Sequence, residues 1–322
     1  MNWIRRLVFA AVVSLGQRAF SQAATAPAAP LPSPVIFAPG VISGAASDGS
    51  PTFTPDGATL CLTRSAANWS IVVESHRDGA RWSMPAMASF SGRWPDSSPG
   101  FYPDGSALVY VSVRPPSADD KNPHDAVANL WRVKRTGPSW SDPERLPDNV
   151  NIGHSIWKPS VASDGSIYFV SIDARGGKRL YRSQFSEGVF QPAQPLPFSD
   201  GTTGDVDPEI SPDGSFLVFC SSGRTSDCDK DRLFVVLRKG SSWGPVTPIH
   251  YTGDKVLGFS DDQEPHLGSD HHTIYFSSDR SVPVKFPRSA DQARMDLERL
   301  ETWDNGNANV WSLDLTPWLK AD

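Results

Sequence analysis

Short runs of unbroken apolar residues, each followed by a run in which apolar and polar positions alternate, recur five times along the chain. The unbroken runs are TLCL from Thr59, ALVYV from Ala107, SIYFV from Ser166, FLVFC from Phe216 and TIYFS from Thr273. The alternating runs are SIVVES from Ser70, NLWRVKR from Asn129, RLYRSQF from Arg179, RLFVVLR from Arg232 and NVWSLDL from Asn309. Alternation with a period of two marks a half-buried strand, and a short unbroken apolar run fits a strand covered on both faces.

Turn signals separate each unbroken run from a further strand ahead of it. Asp56-Gly57, Asp104-Gly105, Asp164-Gly165 and Asp213-Gly214 stand at the turn in four units. Aspartate caps such a turn with its side chain and glycine takes the positive φ. The fifth unit has Asp270-His271, so its hairpin must turn differently or hold His271 in a strained conformation. A proline precedes each turn, at Pro51, Pro99, Pro159, Pro208 and Pro265, with spacings of 48, 60, 49 and 57 residues. After the alternating strand come an aromatic residue and a proline (Trp82 and Pro85, Trp140 and Pro143, Phe190 and Pro192, Trp243 and Pro245), then a fourth, outer strand. Four antiparallel strands repeated at about fifty residues describe an all-β fold, a β-propeller.

Five blades are expected; a six-bladed ring, the alternative, needs a further unit. The fifth unit supplies only three strands, whereas SPVIFAPGVIS from Ser33 is apolar and has no partner. If it becomes the outer strand of the last blade, the ring closes with no free edge.

Residues 1–30 stand outside this pattern. MNWIRR is cationic, LVFAAVVSLG is a ten-residue apolar run, and FSQAATAPAAP is rich in small residues. That is the layout of a secretory signal cleaved after Ala23, and the run is too short to span a bilayer. The expected domains are a signal peptide over 1–23, a linker over 24–32, the propeller over 33–315 and a tail over 316–322. Loss of Arg5, Arg6 and Arg18 takes the formal charge from −6 to −9. An acidic chain of this kind suits cationic groups, not nucleic acid or anionic membranes. A periplasmic or secreted monomer with no stable membrane insertion is expected.

The export reading bears on the three cysteines. Cys61 and Cys220 fall in apolar runs and Cys228 in a polar loop, so either Cys220 pairs with Cys228 or all three are free thiols.

The recurring D-x-x-P, S/T-x-D-G, apolar strand and S-x-R resembles the Pro-Asp-Gly, WD-like propeller repeats of the TolB-type family, over residues 33–315. The resemblance implies an exported propeller that binds other components of the cell envelope.

Chemistry is expected where D-x-x-P meets the arginine after the second strand, because both lie at one end of the blade. The acids there are Asp48, Asp96, Asp205, Asp207, Asp262 and Glu264, and the arginines are Arg64, Arg114, Arg175, Arg224 and Arg280. The third unit departs, with Ile156, Trp157 and Lys158 in place of the acidic group. Two readings stay open: a ring of Asp–Arg pairs that fixes loops, or unpaired carboxylates that capture a cation, a basic peptide end, an envelope protein or a small ligand. No cofactor is expected beyond a possible divalent cation. The functional expectation is a protein- or ligand-binding scaffold. The alternative is a propeller lyase or hydrolase with a metal at the channel mouth, for which His154, Glu264 and His266 are the candidate ligands. At the same end lie two insertions. The second contains SADQARMDLERLETW, read as a helix with Ser289 as N-cap and Ala293, Leu297 and Leu300 on one stripe, serving as a lid, a docking element or a plug over the last blade.

Overall fold

The computed structural model describes residues 31–116, 127–137, 139–153, 155–173, 175–225, 230–251 and 260–320. The expected signal peptide, most of the linker, His154, Cys228 and the last two residues of the tail lie outside them. Leu31–Asp322 forms one compact unit.

The strand β1 (Val35–Ile36) is held for the last blade. The first blade pairs β2 (Ser47–Phe53), β3 (Thr59–Ala66) and β4 (Trp69–Asp78), edged by β5 (Arg81–Trp82) and β6 (Ala86–Met87). The second pairs β7 (Asp96–Phe101), β8 (Ala107–Ser112) and β9 (Asn129–Thr136), edged by β10 (Ser139–Trp140) and β11 (Glu144–Arg145). The third runs β12 (Ile156–Val161), β13 (Ile167–Ile172) and β14 (Lys178–Ser183). A small hairpin of β15 (Phe185–Ser186) and β16 (Val189–Phe190) follows, before the outer β17 (Gln194–Pro195). The fourth is β18 (Gly204–Ile210), β19 (Phe216–Ser222), β20 (Arg232–Lys239) and β21 (Ser242–Pro248). The fifth is β22 (Asp262–Leu267), β23 (Thr273–Ser278) and β24 (Asn309–Asp314), and β1 pairs antiparallel on its edge, Val35 opposite Ser312 and Ile36 opposite Trp311. The five innermost strands, β2, β7, β12, β18 and β22, pack side by side in a closed ring.

Closure is a packing event as well as a pairing. Phe37 stands edge-on to Phe53, Trp82 and Tyr275, with ring centroids 5.9, 5.9 and 5.0 Å away. Ile42 is fully buried among Leu60, Leu62, Val73 and Val310, so the segment ahead of the first blade cements it to the fifth.

The turns form as their residues dictate. Gly57, Gly105, Gly165 and Gly214 all have positive φ, and Asp56, Asp104, Asp164 and Asp213 each accept the backbone N–H two residues on. In the fifth blade His271 takes that backbone conformation, φ 60°, which an L side chain adopts at a cost. Asp270 compensates by accepting from both His272 and Thr273.

Every innermost strand carries a bulge at its centre. The register shifts between Gly49 and Thr52, Ser97 and Gly100, Trp157 and Ser160, Val206 and Glu209, and Gln263 and His266. At each, the residue just before the proline has positive φ: Ser50 46°, Ser98 50°, Lys158 52°, Asp207 55° and Glu264 53°. A residue ahead of proline ordinarily lies in the extended region, so five such bulges mark a position the ring over-determines. Cys61 and Cys220 are buried free thiols.

Candidate functional site

At the D-x-x-P end of four of the five blades the outer acid is sealed in an ion pair. Asp48, Asp96, Asp205 and Asp262 are fully buried. Arg64 Nε lies 2.8 Å from Asp48, Arg114 3.4 Å from Asp96, Arg224 2.6 Å from Asp205 and Arg280 2.5 Å from Asp262. The D-x-x-P acid and the S-x-R arginine come together because they sit on the paired first and second strands of one hairpin. The guanidiniums also reach backward: Arg114 donates to Phe90 O and Arg224 to Phe198 O, in the segments that lead into their own blades. Arg280 and Asp262 share the Tyr251 hydroxyl, a partner that no spacing in the repeat suggests. Burial raises the Asp48 carboxyl, and the Arg64 guanidinium pulls it back. In the third blade Ile156 replaces the acid, and Arg175 is exposed.

The bulge residues form a second layer on the axis, and here three ionisable groups meet. Asp207 Oδ2 accepts from Glu264 N, and Glu264 Oε2 accepts from Ser50 N and the Ser277 hydroxyl, which stitches the fourth, fifth and first blades together. Lys158, wholly buried, donates from Nζ to Pro265 O at 3.0 Å. Arg224 and Arg280 are spent on Asp205 and Asp262, so Lys158 supplies the positive charge that faces Asp207 and Glu264. Burial lowers the Lys158 pKa, and the nearby Glu209, Asp207 and Glu264 charges push it back up. Burial and then the Glu264 charge drive the Asp207 carboxyl up to about 7, with Lys158 opposing them. The odd residue of the third unit is the counter-charge of the ring.

A third layer follows: Thr52, Gly100, Ser160, Glu209 and His266. Thr52 Oγ1 accepts from Phe101 N, Ser160 Oγ from Ile210 N, and Glu209 Oε1 from Leu267 N, each bond crossing to the next blade. His266 Nδ1 is 3.1 Å from Glu209 Oε2. Of the metal candidates, Glu264 and His266 are engaged in these contacts and His154 lies outside the described residues. Among the described residues no group of three His, Cys, Asp or Glu side chains is placed to hold a metal ion.

An outward-facing feature of this end among the described residues is the insertion between β23 and β24. Helix α1 (Ala290–Glu298) has Ser289 as N-cap, in a capping box with Gln292, and continues as a 3-10 turn over Arg299–Glu301. It ends short of the expected Trp303, and neither the helix nor the turn buries a residue. Arg299 clamps Asp296 at 3.0 Å and Asp304 at 2.7 Å, Arg288 joins Asp296 at 2.6 Å, and Asp304 accepts Val282 N. Trp303 packs edge-on against Trp311 of β24, 5.5 Å between centroids. On this base Phe286 is 76% exposed and Leu297 65%, with Val282, Val284, Met295 and Leu300 also exposed. Of the stripe that suggested a helix, Leu297 and Leu300 face water and Ala293 is half-buried. Residues 117–126 of the other insertion lie outside the described residues.

No protein-family model matches the chain, and no curated protein matches it. Solved structures do. A protein assigned as TolB from Agrobacterium tumefaciens is 18% identical, with 83% of each chain covered and a TM-score of 0.48. TolB from Acinetobacter baumannii is 13% identical, over 83% of this chain and 54% of that one, with a TM-score of 0.45. A GH62 hydrolase solved with xylotriose is 12% identical, over 87% of this chain and 96% of that one, with a TM-score of 0.50. At these identities the likeness is one of fold, and a propeller hosts many unrelated functions.

Proposed function

We propose that the protein is an exported propeller scaffold that binds a protein partner of the cell envelope through the insertion between β23 and β24. The observation that carries this reading is that Val282, Val284, Phe286, Met295, Leu297 and Leu300, all of one insertion, are each exposed on a salt-bridged base. Large apolar side chains exposed on a rigid support are a mark of a protein-binding site, and loops on a fixed scaffold are where such sites sit. The fold supports the reading: of the acids that could have drawn a cationic ligand, Asp48, Asp96, Asp205 and Asp262 face arginines and Asp207 and Glu264 face Lys158, which leaves the insertion as the better place for recognition. Export rests on the cationic start and apolar run of the first 23 residues. No described helix is long and apolar enough to cross a membrane.

The test compares the wild-type chain with a Phe286→Glu, Leu297→Glu double variant in native envelope extract. The reading expects a defined complex with the wild type, loss of that complex with the variant, and the same melting temperature for both. Equal recovery of the same partner by the two chains overturns it.

A further inference from the structure

The opposite end of the propeller, where the turns lie, contains a separate cavity on the axis. Its volume is about 200 Å³. At roughly 30 Å³ per water it has room for about six or seven water-sized groups, the scale of a monosaccharide or a small polyol. Phe53, Phe101, Val161, Ile210 and the turn prolines give it apolar walls.

Three side chains set what it can recognise. His266 lines the cavity, is 3% exposed, and its Nε2 is buried with no hydrogen-bond partner. Nδ1 faces the Glu209 carboxylate at 3.1 Å and so carries the ring proton, which leaves Nε2 a lone-pair acceptor. Burial lowers the His266 pKa, against the pull of Glu209, which keeps the ring neutral at pH 7. Thr52 and Ser160 also line the cavity; each oxygen already accepts a backbone N–H, so each hydroxyl hydrogen is left to donate. Gly100 lets the third blade approach, since a Cβ there would come within 2.7 Å of Pro159 O, and it stands beside the imidazole, that Cβ position being 3.8 Å from His266 Cε1.

We infer that this cavity is a binding site for a small uncharged hydroxyl-bearing molecule, of the size of a monosaccharide or polyol. A hydroxyl donates to His266 Nε2 and accepts from Thr52 or Ser160, matching both kinds of group at once. An ammonium only donates and leaves the two hydroxyl hydrogens unmet. A carboxylate only accepts, leaves Nε2 unmet and meets the charge of Glu209 behind the ring. The site is independent of the insertion, which lies at the other end of the fifth blade.

The test follows the imidazole nitrogen resonances of the full chain while D-glucose, glycerol, methylammonium or acetate is added at millimolar concentrations. A saturable movement of the His266 Nε2 resonance with D-glucose or glycerol, absent with the two ions, is the expected result. Ser163 and Ser269 are exposed at the rim, so Ser163→Trp and Ser269→Trp obstruct entry without touching the core. Each should weaken the response by roughly tenfold or more. No saturable movement with either hydroxyl probe overturns the inference, as does a response to methylammonium or acetate in their place. A response to D-glucose that survives both tryptophan variants also overturns it, because the ligand is then elsewhere.

Discussion

Lys158 Nζ reaches the carbonyl oxygen of Pro265 at 3.0 Å, a bond from the third blade to the fifth that bypasses the fourth. The lysine is fully buried, and its charge is set against Asp207, Glu209 and Glu264. Removing one partner of a buried charge cluster leaves the rest uncompensated and costs about 3 kcal/mol or more. Lys158→Met should therefore lower the melting temperature steeply, and by more at pH 8 than at pH 5, where the carboxylates can take up a proton. Thermal unfolding at the two pH values checks this, and adding Asp207→Asn to the same chain should recover part of the loss.

Asp207 gives the intact protein a pH dependence of its own. Its carboxyl is raised from 3.8 to about 7, so between those values the folded state holds a proton that the unfolded state has released. Stability from this group is present at low pH and falls as pH rises through that window. His266 acts in the opposite sense, because its lowered pKa makes stability fall as pH drops below the ordinary histidine value. The difference between wild type and Asp207→Asn isolates the aspartate. The variant should gain on the wild type as pH is raised from 4 to 8, and unfolding midpoints in denaturant across that range measure it. A constant difference would mean that Asp207 titrates as an ordinary carboxyl.

The blades were legible because each rule acted locally. Turn glycines, the apolar run after each turn and the alternating third strand fix a hairpin and its neighbour without reference to the ring. The missing strand of the fifth unit and the unpartnered Val35, Ile36 and Phe37 pointed to one another for the same reason. His271 was also legible, since the turn geometry was known and the residue was wrong for it. The axis was not. A residue before proline reads as extended, so nothing local announces that Ser50, Ser98, Lys158, Asp207 and Glu264 all have positive φ. That conformation depends on five strands meeting at one axis. Lys158 stood out in the sequence as a departure from the repeat, but its role as counter-charge depends on acids 49 and 106 residues away. Tyr251, which completes the Asp262–Arg280 pair, lies outside the repeat motif altogether.

Closure by β1 makes a direct prediction. Deleting residues 31–43 strips the edge of β24, removes Phe37 from its cluster with Phe53, Trp82 and Tyr275, and opens the space around Ile42. An exposed strand edge beside uncovered apolar surface promotes association. The truncated chain should melt far below the parent or aggregate on expression, as read by calorimetry and light scattering. Parent-like melting of a monomeric truncation would show that the ring closes without this strand.

The same motif position should matter in one blade and not in another. Arg224 holds the fully buried Asp205 with two bonds and clasps Phe198 O besides, whereas Arg175 is exposed and makes no ion pair among the described residues. Arg224→Ala leaves a carboxylate stranded in the interior and should cost about 3 kcal/mol, while Arg175→Ala should stay within about 0.5 kcal/mol of wild type. Asp205→Asn combined with Arg224→Met removes both charges and should be milder than Arg224→Ala alone, because the penalty comes from the unpaired group. Raising salt should leave the Arg224→Ala cost in place, since a buried pair is screened far less than an exposed one. Denaturant unfolding of the four chains at low and high salt separates these outcomes. Equal losses for Arg224→Ala and Arg175→Ala would mean that the arginine stabilises the loop after the second strand and not the acid beneath it.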